Sequence, residues 1–399
     1  MRRAPALITA GLLAATSLAG PPAASAVPAA DTAVHAGQTA ATAAAAAAGR
    51  GPLRINHIQT MATHNSYHRE LTDAEKDVQR KTDANWWNLQ FSHPALPRQF
   101  QDQHVRGIEL DVFPDPKGGL YTAPLVRRDA GLPPLADPAL REPGFKVLHW
   151  ADHDYGTNCS TLVTCLRQVR EWSDAHPGHV PLTILTELKS TDPAKEALGG
   201  AKSPKWDTAL LDALDAEIRS IFPAGRLIAP DNVRRPGKTL EQSVLQYGWP
   251  ELSSSRGKVM FFMDNQATEI QGPYLTDRPS LEGRVLFTNS RPGRADAAFV
   301  GWNEPQGDNT AQIQDLVRRG YYVRTRSDVP FTEARSGDTS RLRAALDSGA
   351  QMVSTDFPVV GLSARHGSDY TAELPGGAVA RCNPVNAPTG CRDQSLEKR

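Results

Sequence analysis

The tripeptide His64-Asn65-Ser66 follows directly on an apolar, β-prone run, Asn56 to Thr63. An imidazole can take up or release a proton near neutrality, and a side-chain amide offers an oxygen to a hard cation. Further along, Gly107-Ile108-Glu109-Leu110-Asp111-Val112 alternates acidic and apolar residues. A strand repeats every two residues, so Glu109 and Asp111 share one face while Ile108, Leu110 and Val112 share the other. Two like charges on an enclosed face are costly unless a proton or a cation compensates, and a hard divalent ion such as Ca²⁺ does so with oxygen ligands. On an open edge strand, water would serve instead.

Other groups repeat the pattern. In Thr186-Glu187-Leu188-Lys189 a third carboxylate and a cation share a face, although a surface ion pair would account for those two alone. His149 ends the run Val147-Leu148, where a purely structural histidine is the alternative. Tyr322-Val323-Arg324-Thr325-Arg326 offers two guanidinium groups, which grip phosphate bidentately or merely solvate a strand end. Asp356, after Thr355, either orients a histidine or caps a turn. In the same way Thr63, Asn65 and Ser66 could be turn residues and no more. Together these groups suit phosphodiester cleavage. A metal polarises the phosphate, one histidine stabilises the crowded transition state, and the other protonates the leaving oxygen.

Such groups need a scaffold that gathers strand ends. Eight candidate strands alternate with helices: Asn56 to Thr63, Val105 to Val112, Phe145 to His149, Leu182 to Leu188, Lys258 to Met263, Arg284 to Thr288, Tyr321 to Thr325 and Gln351 to Thr355. Helices are predicted over Thr161 to Ala175, Trp206 to Ile221, Ala311 to Arg319 and Thr339 to Ser348 from their apolar periodicity. The expected architecture is a single α/β (β/α)₈ (TIM-type) barrel over 51–365, irregular between the fifth and sixth strands. Active sites of such barrels lie at the C-terminal ends of the strands, where every group named above falls.

The 399 residues carry 44 basic and 44 acidic side chains. That balance gives no general attraction to nucleic acid, so an anionic substrate must be held locally. Arg2 and Arg3 precede an apolar run that ends before Ala24-Ser25-Ala26, which reads as a signal peptide over 1–26 and hence secretion. An Ala-rich leader, expected to be disordered, spans 27–50. Four cysteines, Cys159, Cys165, Cys382 and Cys391, suggest disulfides in an oxidising compartment. Short-range pairing is the simplest of three connectivities, and 366–399 reads as a stapled tail.

Thr63-His64-Asn65-Ser66-Tyr67, Gly107-Ile108-Glu109-Leu110-Asp111-Val112, the strand ending at His149 and Leu185-Thr186-Glu187 resemble the catalytic barrel of calcium-dependent phosphoinositide-specific phospholipases C. The likeness is to their secreted, single-domain bacterial branch, over about Asn56 to Pro358. It implies His64 and His149 as catalytic histidines and Asn65, Glu109, Asp111 and Glu187 as Ca²⁺ ligands. Lys189 falls where a phosphate- or inositol-contacting lysine is expected. The implied substrate is phosphatidylinositol at a membrane surface, cleaved to diacylglycerol and a cyclic inositol phosphate by a monomer. The accessory lipid-targeting domains of eukaryotic relatives are absent, so the barrel rim must dock, with Trp86 and Trp87 as candidates or else as core residues. Metal-independent bacterial relatives place an arginine where calcium would sit, and the Glu109/Asp111 pair argues against that variant.

Two rival readings stand beside this one. A glycerophosphodiester phosphodiesterase shares the barrel and resembles Thr355-Asp356-Phe357-Pro358, but has Arg-Gly where Asn65-Ser66 stand. A secreted lipid- or sugar-binding barrel without catalysis is the other.

Overall fold

The computed structural model describes residues 51–397. The signal peptide and leader expected over 1–26 and 27–50 lie outside the described residues. Parallel strands form the frame: β1 (Ile58–Thr63), β2 (Gly107–Asp115), β4 (Leu182–Leu188), β5 (Val259–Met263), β6 (Leu286–Thr288), β7 (Phe299–Gly301), β8 (Tyr322–Arg326) and β9 (Met352–Thr355). Their order is β6-β5-β4-β2-β1-β9-β8-β7. The seam between β6 and β7 closes through one parallel bridge, Asn289 to Phe299. There the Asn289 side chain accepts from the Gly301 amide at 2.8 Å. A Cβ on residue 301 would sit 2.5 Å from that side chain, so glycine lets the seam close.

One expected barrel strand is corrected. Phe145 to His149 is not a parallel rung: β3 (Gly144–Val147) runs antiparallel to the upper half of β2, pairing Val112 with Val147 and Asp115 with Gly144. β2 continues three residues past the expected end at Val112, and the chain returns along it as a ribbon. The eighth rung is instead β7, a three-residue strand that sequence pattern did not reveal. His149 still reaches the rim, because an antiparallel return from Asp115 ends level with Val112.

The strands are buried along nearly their whole length, as expected for parallel strands covered by helices. Four helices carry the expected apolar faces: α1 (Leu162–Ala175), α2 (Thr208–Ile221), α3 (Asn309–Arg319) and α4 (Ser340–Asp347). Thr161 and Asp207 cap the first two, accepting from the amides of Thr164 and Leu210. Gly320, at φ 104°, ends α3 in the left-handed region. Between β5 and β6 there is only a short helix, Thr268–Leu275, with Pro273 inside it, which is the expected irregularity.

Residues beyond 365 lie against the barrel. β10 (Arg381–Cys382) pairs antiparallel with the start of β1. Tyr370, Leu374 and Leu396 join the main apolar core. Glu397 meets the Arg106 guanidinium and the Val180 amide. Disulfides join Cys159 to Cys165 and Cys382 to Cys391. Among the described residues no helix is long and apolar enough to cross a membrane.

Candidate active site

β2 and β4 place the acidic groups in register. Asp111 pairs with Glu187 and Glu109 with Leu185 across the two strands, so Glu109, Asp111 and Glu187 converge with carboxylate oxygens within 4.8 Å of one another. Glu109 and Asp111 are buried and Glu187 is partly exposed. Among the described residues neither oxygen of Asp111 has a hydrogen bond of good geometry, although Lys189 Nζ lies 3.2 Å from one of them and from Glu187. Burial holds the Asp111 carboxyl well above its usual range, against the pull of Lys189. Burial also pushes Glu109 up to about 7, opposed by Arg324 and helped by Asp264 and Glu187. An enclosed carboxylate short of hydrogen bonds, beside two others, is a donor set suited to a hard cation.

Asn65 stands next to this cluster, buried, at φ 43°. Asparagine is among the few non-glycine residues that tolerate that region. The turn is fixed by Ser66, whose hydroxyl accepts from the Glu109 amide at 2.8 Å and whose amide donates to the Glu109 carbonyl at 3.0 Å. β1 and β2 are thereby locked together at the rim. Gln99 reinforces the same turn by donating to the Ser66 carbonyl.

Each histidine rests its Nδ1 on a carboxylate. His64 Nδ1 is 2.8 Å from Asp356, and its Nε2 is 3.2 Å from Arg326 and 3.8 Å from Glu109. Burial, then Arg326 and Arg324, hold His64 well below its usual pKa. Arg326 also donates to Asp356 at 3.1 Å. His149 Nδ1 is 2.8 Å from Asp154, its ring stacks on Trp150 at 4.4 Å, and burial lowers its pKa. Arg324 is buried and fully engaged: Nε on Ser354 at 2.9 Å, one terminal nitrogen on Asn303 and the other on Glu109 at 2.7 Å.

The sequence-expected residues His64, Asn65, Glu109, Asp111, Glu187, Lys189, Arg324, Arg326 and Asp356 thus gather at one rim, with His149 brought in by the β2–β3 ribbon. Three groups escaped the sequence reading. Asp154 lies five residues after His149 with no motif around it, and His68 is 86 residues from its partner Asp154. Asp264 follows β5; burial pushes it up, against Arg324 and with Glu187. Its position just after a strand end was the one available signal. Beside the cluster a cavity of about 570 Å³ opens, lined by Phe113, Trp150, Glu187, Lys189 and Lys195 among others. Trp86 and Trp87 are only partly exposed, under the guanidinium groups of Arg80 and Arg335.

A parallel barrel with two carboxylate-fixed histidines beside a buried acid cluster defines the metal-assisted phosphodiesterases as the class. A family model, "Phosphoinositide phospholipase C, Ca2+-dependent", matches residues 53–384, and the chain belongs to that family. It is therefore an enzyme of the Ca²⁺-dependent phospholipase C kind, and membership favours this over the glycerophosphodiesterase and binding-only readings. In fold it is similar to a calcium-dependent phosphoinositol-specific phospholipase C from Pseudomonas sp., 15% identical, with a TM-score of 0.50, covering 83% of this chain and 96% of that one. A Ca²⁺-dependent phosphatidylinositol-specific phospholipase C from Streptomyces antibioticus is 17% identical, with a TM-score of 0.47 and coverage of 77% and 95%. No curated protein sequence matches.

Proposed function

We propose that the chain cleaves phosphatidylinositol, with His64 and His149 as its proton-handling residues. The observation that carries the reading is that both imidazoles have Nδ1 pinned by a carboxylate, at 2.8 Å each, which leaves Nε2 as the working nitrogen of each ring; that of His64 lies 3.8 Å from Glu109. Asn65, Glu109, Asp111 and Glu187 would hold Ca²⁺; when bound, the ion would neutralise these carboxylates, polarise the phosphate and lower the pKa of the attacking hydroxyl.

The inositol 2-hydroxyl forms the new O–P bond and passes its proton to a carboxylate of the Glu109, Asp111 and Glu187 cluster. The bond from phosphorus to the diacylglycerol oxygen breaks, and that oxygen takes the Nε2 proton of His149 in its imidazolium form, whose Nδ1–H stays on Asp154. The products are diacylglycerol and a cyclic inositol phosphate. His64, with Nδ1–H committed to Asp356, accepts from Arg326 through Nε2 and so aims that guanidinium at the phosphate oxygens, where negative charge accumulates. Lys189 reaches toward the same cavity from the end of β4, and Asp356 orients His64. Arg324 meets a substrate phosphate only if Glu109 releases it.

We further propose that the enzyme is secreted, acts as a monomer, and meets the bilayer through the cavity rim. Trp150, 42% exposed, lines the cavity, and Leu198, 63% exposed, follows Lys195. These supersede Trp86 and Trp87, whose rings are covered by arginines, as the apolar contacts. The test is cleavage of phosphatidylinositol vesicles with calcium or with chelator, reading water-soluble products. Calcium-dependent release of a cyclic inositol phosphate supports the reading, whereas glycerol phosphate from glycerophosphodiesters would replace it.

A further inference from the structure

The group least explained by this chemistry is the buried trio His68, Asp154 and His149. A tight loop places it. Trp150 and Asp154 exchange backbone hydrogen bonds, amide to carbonyl at 3.1 Å and 2.9 Å, which folds Asp154 back beneath His149. Asp154 is fully buried, and its Oδ2 receives two donors, His149 Nδ1 and His68 Nε2, each at 2.8 Å.

His68 is also fully buried, stacked on Phe91 with ring centroids 4.3 Å apart. Its Nδ1 faces the Phe91 carbonyl at 3.0 Å and its Nε2 faces the carboxylate. A carbonyl and a carboxylate can only accept, so both ring nitrogens must donate. A neutral imidazole would turn a lone pair toward one of them in a fully buried site, leaving two acceptors facing each other. The geometry therefore makes His68 an imidazolium, a cation locked onto the same Asp154 oxygen that receives His149.

We propose that Asp154 is the positioning residue of His149, and that His68 is a built-in counter-cation for Asp154. A lone buried aspartate would fix the His149 tautomer and at the same time strengthen its hold on a proton. Cancelled by His68, the aspartate keeps the first effect and surrenders much of the second. His149 is then oriented by a hydrogen bond, and its imidazolium form readily releases the Nε2 proton to a leaving oxygen, returning to the Nδ1–H tautomer. The charged and titratable groups facing this trio are Lys189 on the His149 side, Tyr67 and His153 near Asp154, Asp356 and His93 on the His68 side, and His64 near both histidines. Lys189 acts on His149 in the same sense as His68.

The inference rests on the proposed role of His149, but its first test does not depend on turnover. The full-length enzyme, labelled with ¹⁵N-histidine, is measured by NMR at neutral pH. Both His68 nitrogens are expected at protonated shifts, and His149 as the Nδ1–H tautomer; a neutral His68 overturns the proposal whether or not the enzyme cleaves phosphatidylinositol. Absence of cleavage with the NMR signature present would instead fault the functional reading. Asp154→Asn is expected to lower kcat on the order of 100-fold with little change in KM, since the tautomer is no longer imposed. His68→Asn is expected to raise the His149 pKa, read from its ring proton shift, by about one unit, corresponding to a tenfold change in proton affinity. An unchanged His149 pKa in a folded His68→Asn protein overturns the counter-cation. So does a transition metal held stoichiometrically by the trio in the purified enzyme and lost in that variant.

Discussion

The two sides of the rim solve one problem with different parts. On the His64 side, the histidine sits at the end of a barrel strand, its aspartate at the end of β9, and the cation on that aspartate is Arg326. On the His149 side, histidine and aspartate both stand on an excursion outside the barrel ladder, and the cation is His68. In both, Nδ1 meets a carboxylate at 2.8 Å and a second positive group meets the same carboxylate. The His64 side uses a charge that never titrates, on rungs held by parallel pairing of β8 and β9. The His149 side uses a titratable charge on a loop. A group that stabilises charge gains from a permanent field, whereas one that must give up its proton gains from a weaker one.

The largest test removes the histidines. His64→Ala and His149→Ala are each expected to cut phosphatidylinositol turnover by about 10²–10⁴ at saturating calcium, with circular dichroism unchanged. Near-wild-type turnover in either would take that histidine out of the mechanism and end the symmetry.

Next come the carboxylates that hold them. Asp356→Asn should cost on the order of 10–100-fold in kcat. The comparison sharpens if Arg326→Gln moves the His64 pKa upward, because a positive neighbour is lost, while leaving His149 where it was. Equal shifts of both histidines would mean the two sides are not separate electrostatic units.

Between the two sides lies the acid cluster. Asp111→Asn should raise the calcium concentration required by about tenfold or more, about 1.4 kcal/mol, and calorimetric titration would show it directly. Arg324→Met should act oppositely, tightening calcium by up to about tenfold, because a cation now 2.7 Å from Glu109 is removed. Unchanged calcium binding in both variants would place the ion elsewhere.

The smallest effect is a stability slope. His93, which donates to the His64 carbonyl at 3.0 Å, is pushed down to about 4 by burial. Its folded pKa lies below its unfolded value of about 6.5, so the stability tied to its neutral form is lost as pH falls from about 6.5 toward 4. Burial would also lower His68, but Asp154 overcomes it and raises the net value. Its contribution is full below about 6.5 and is lost as pH rises through the raised folded value. Denaturant unfolding in chelator should therefore show His93→Asn flattening the acid side of the pH–stability curve and His68→Asn the neutral-to-alkaline side. Slopes of the same sign would break the contrast.

Much of the site could be read locally. Period two alone put Glu109 and Asp111 on one face, and the apolar run before His64 marked a strand end. What escaped depended on partners distant in sequence or on elements too short to show a period. Phe299–Gly301 has three residues, below any alternation that could be counted. Phe145–Val147 has the composition of a barrel strand, and nothing local says that it pairs antiparallel with β2. Sequence left Trp86 and Trp87 as lipid contacts or core residues, and it is the stacking of Arg80 and Arg335 over their rings that takes them off the free surface.

By itself the sequence determined which side chains share a strand face and that strands alternate with helices, because side-chain periodicity is a property of a few consecutive bonds. Only the tertiary structure decided that Asp154 would lie between His68 and His149, and that Arg324 on β8 would reach Glu109 on β2. Those contacts join residues 86 and 215 positions apart. Their charges compensate only where burial in the folded chain removes the water that would otherwise screen them.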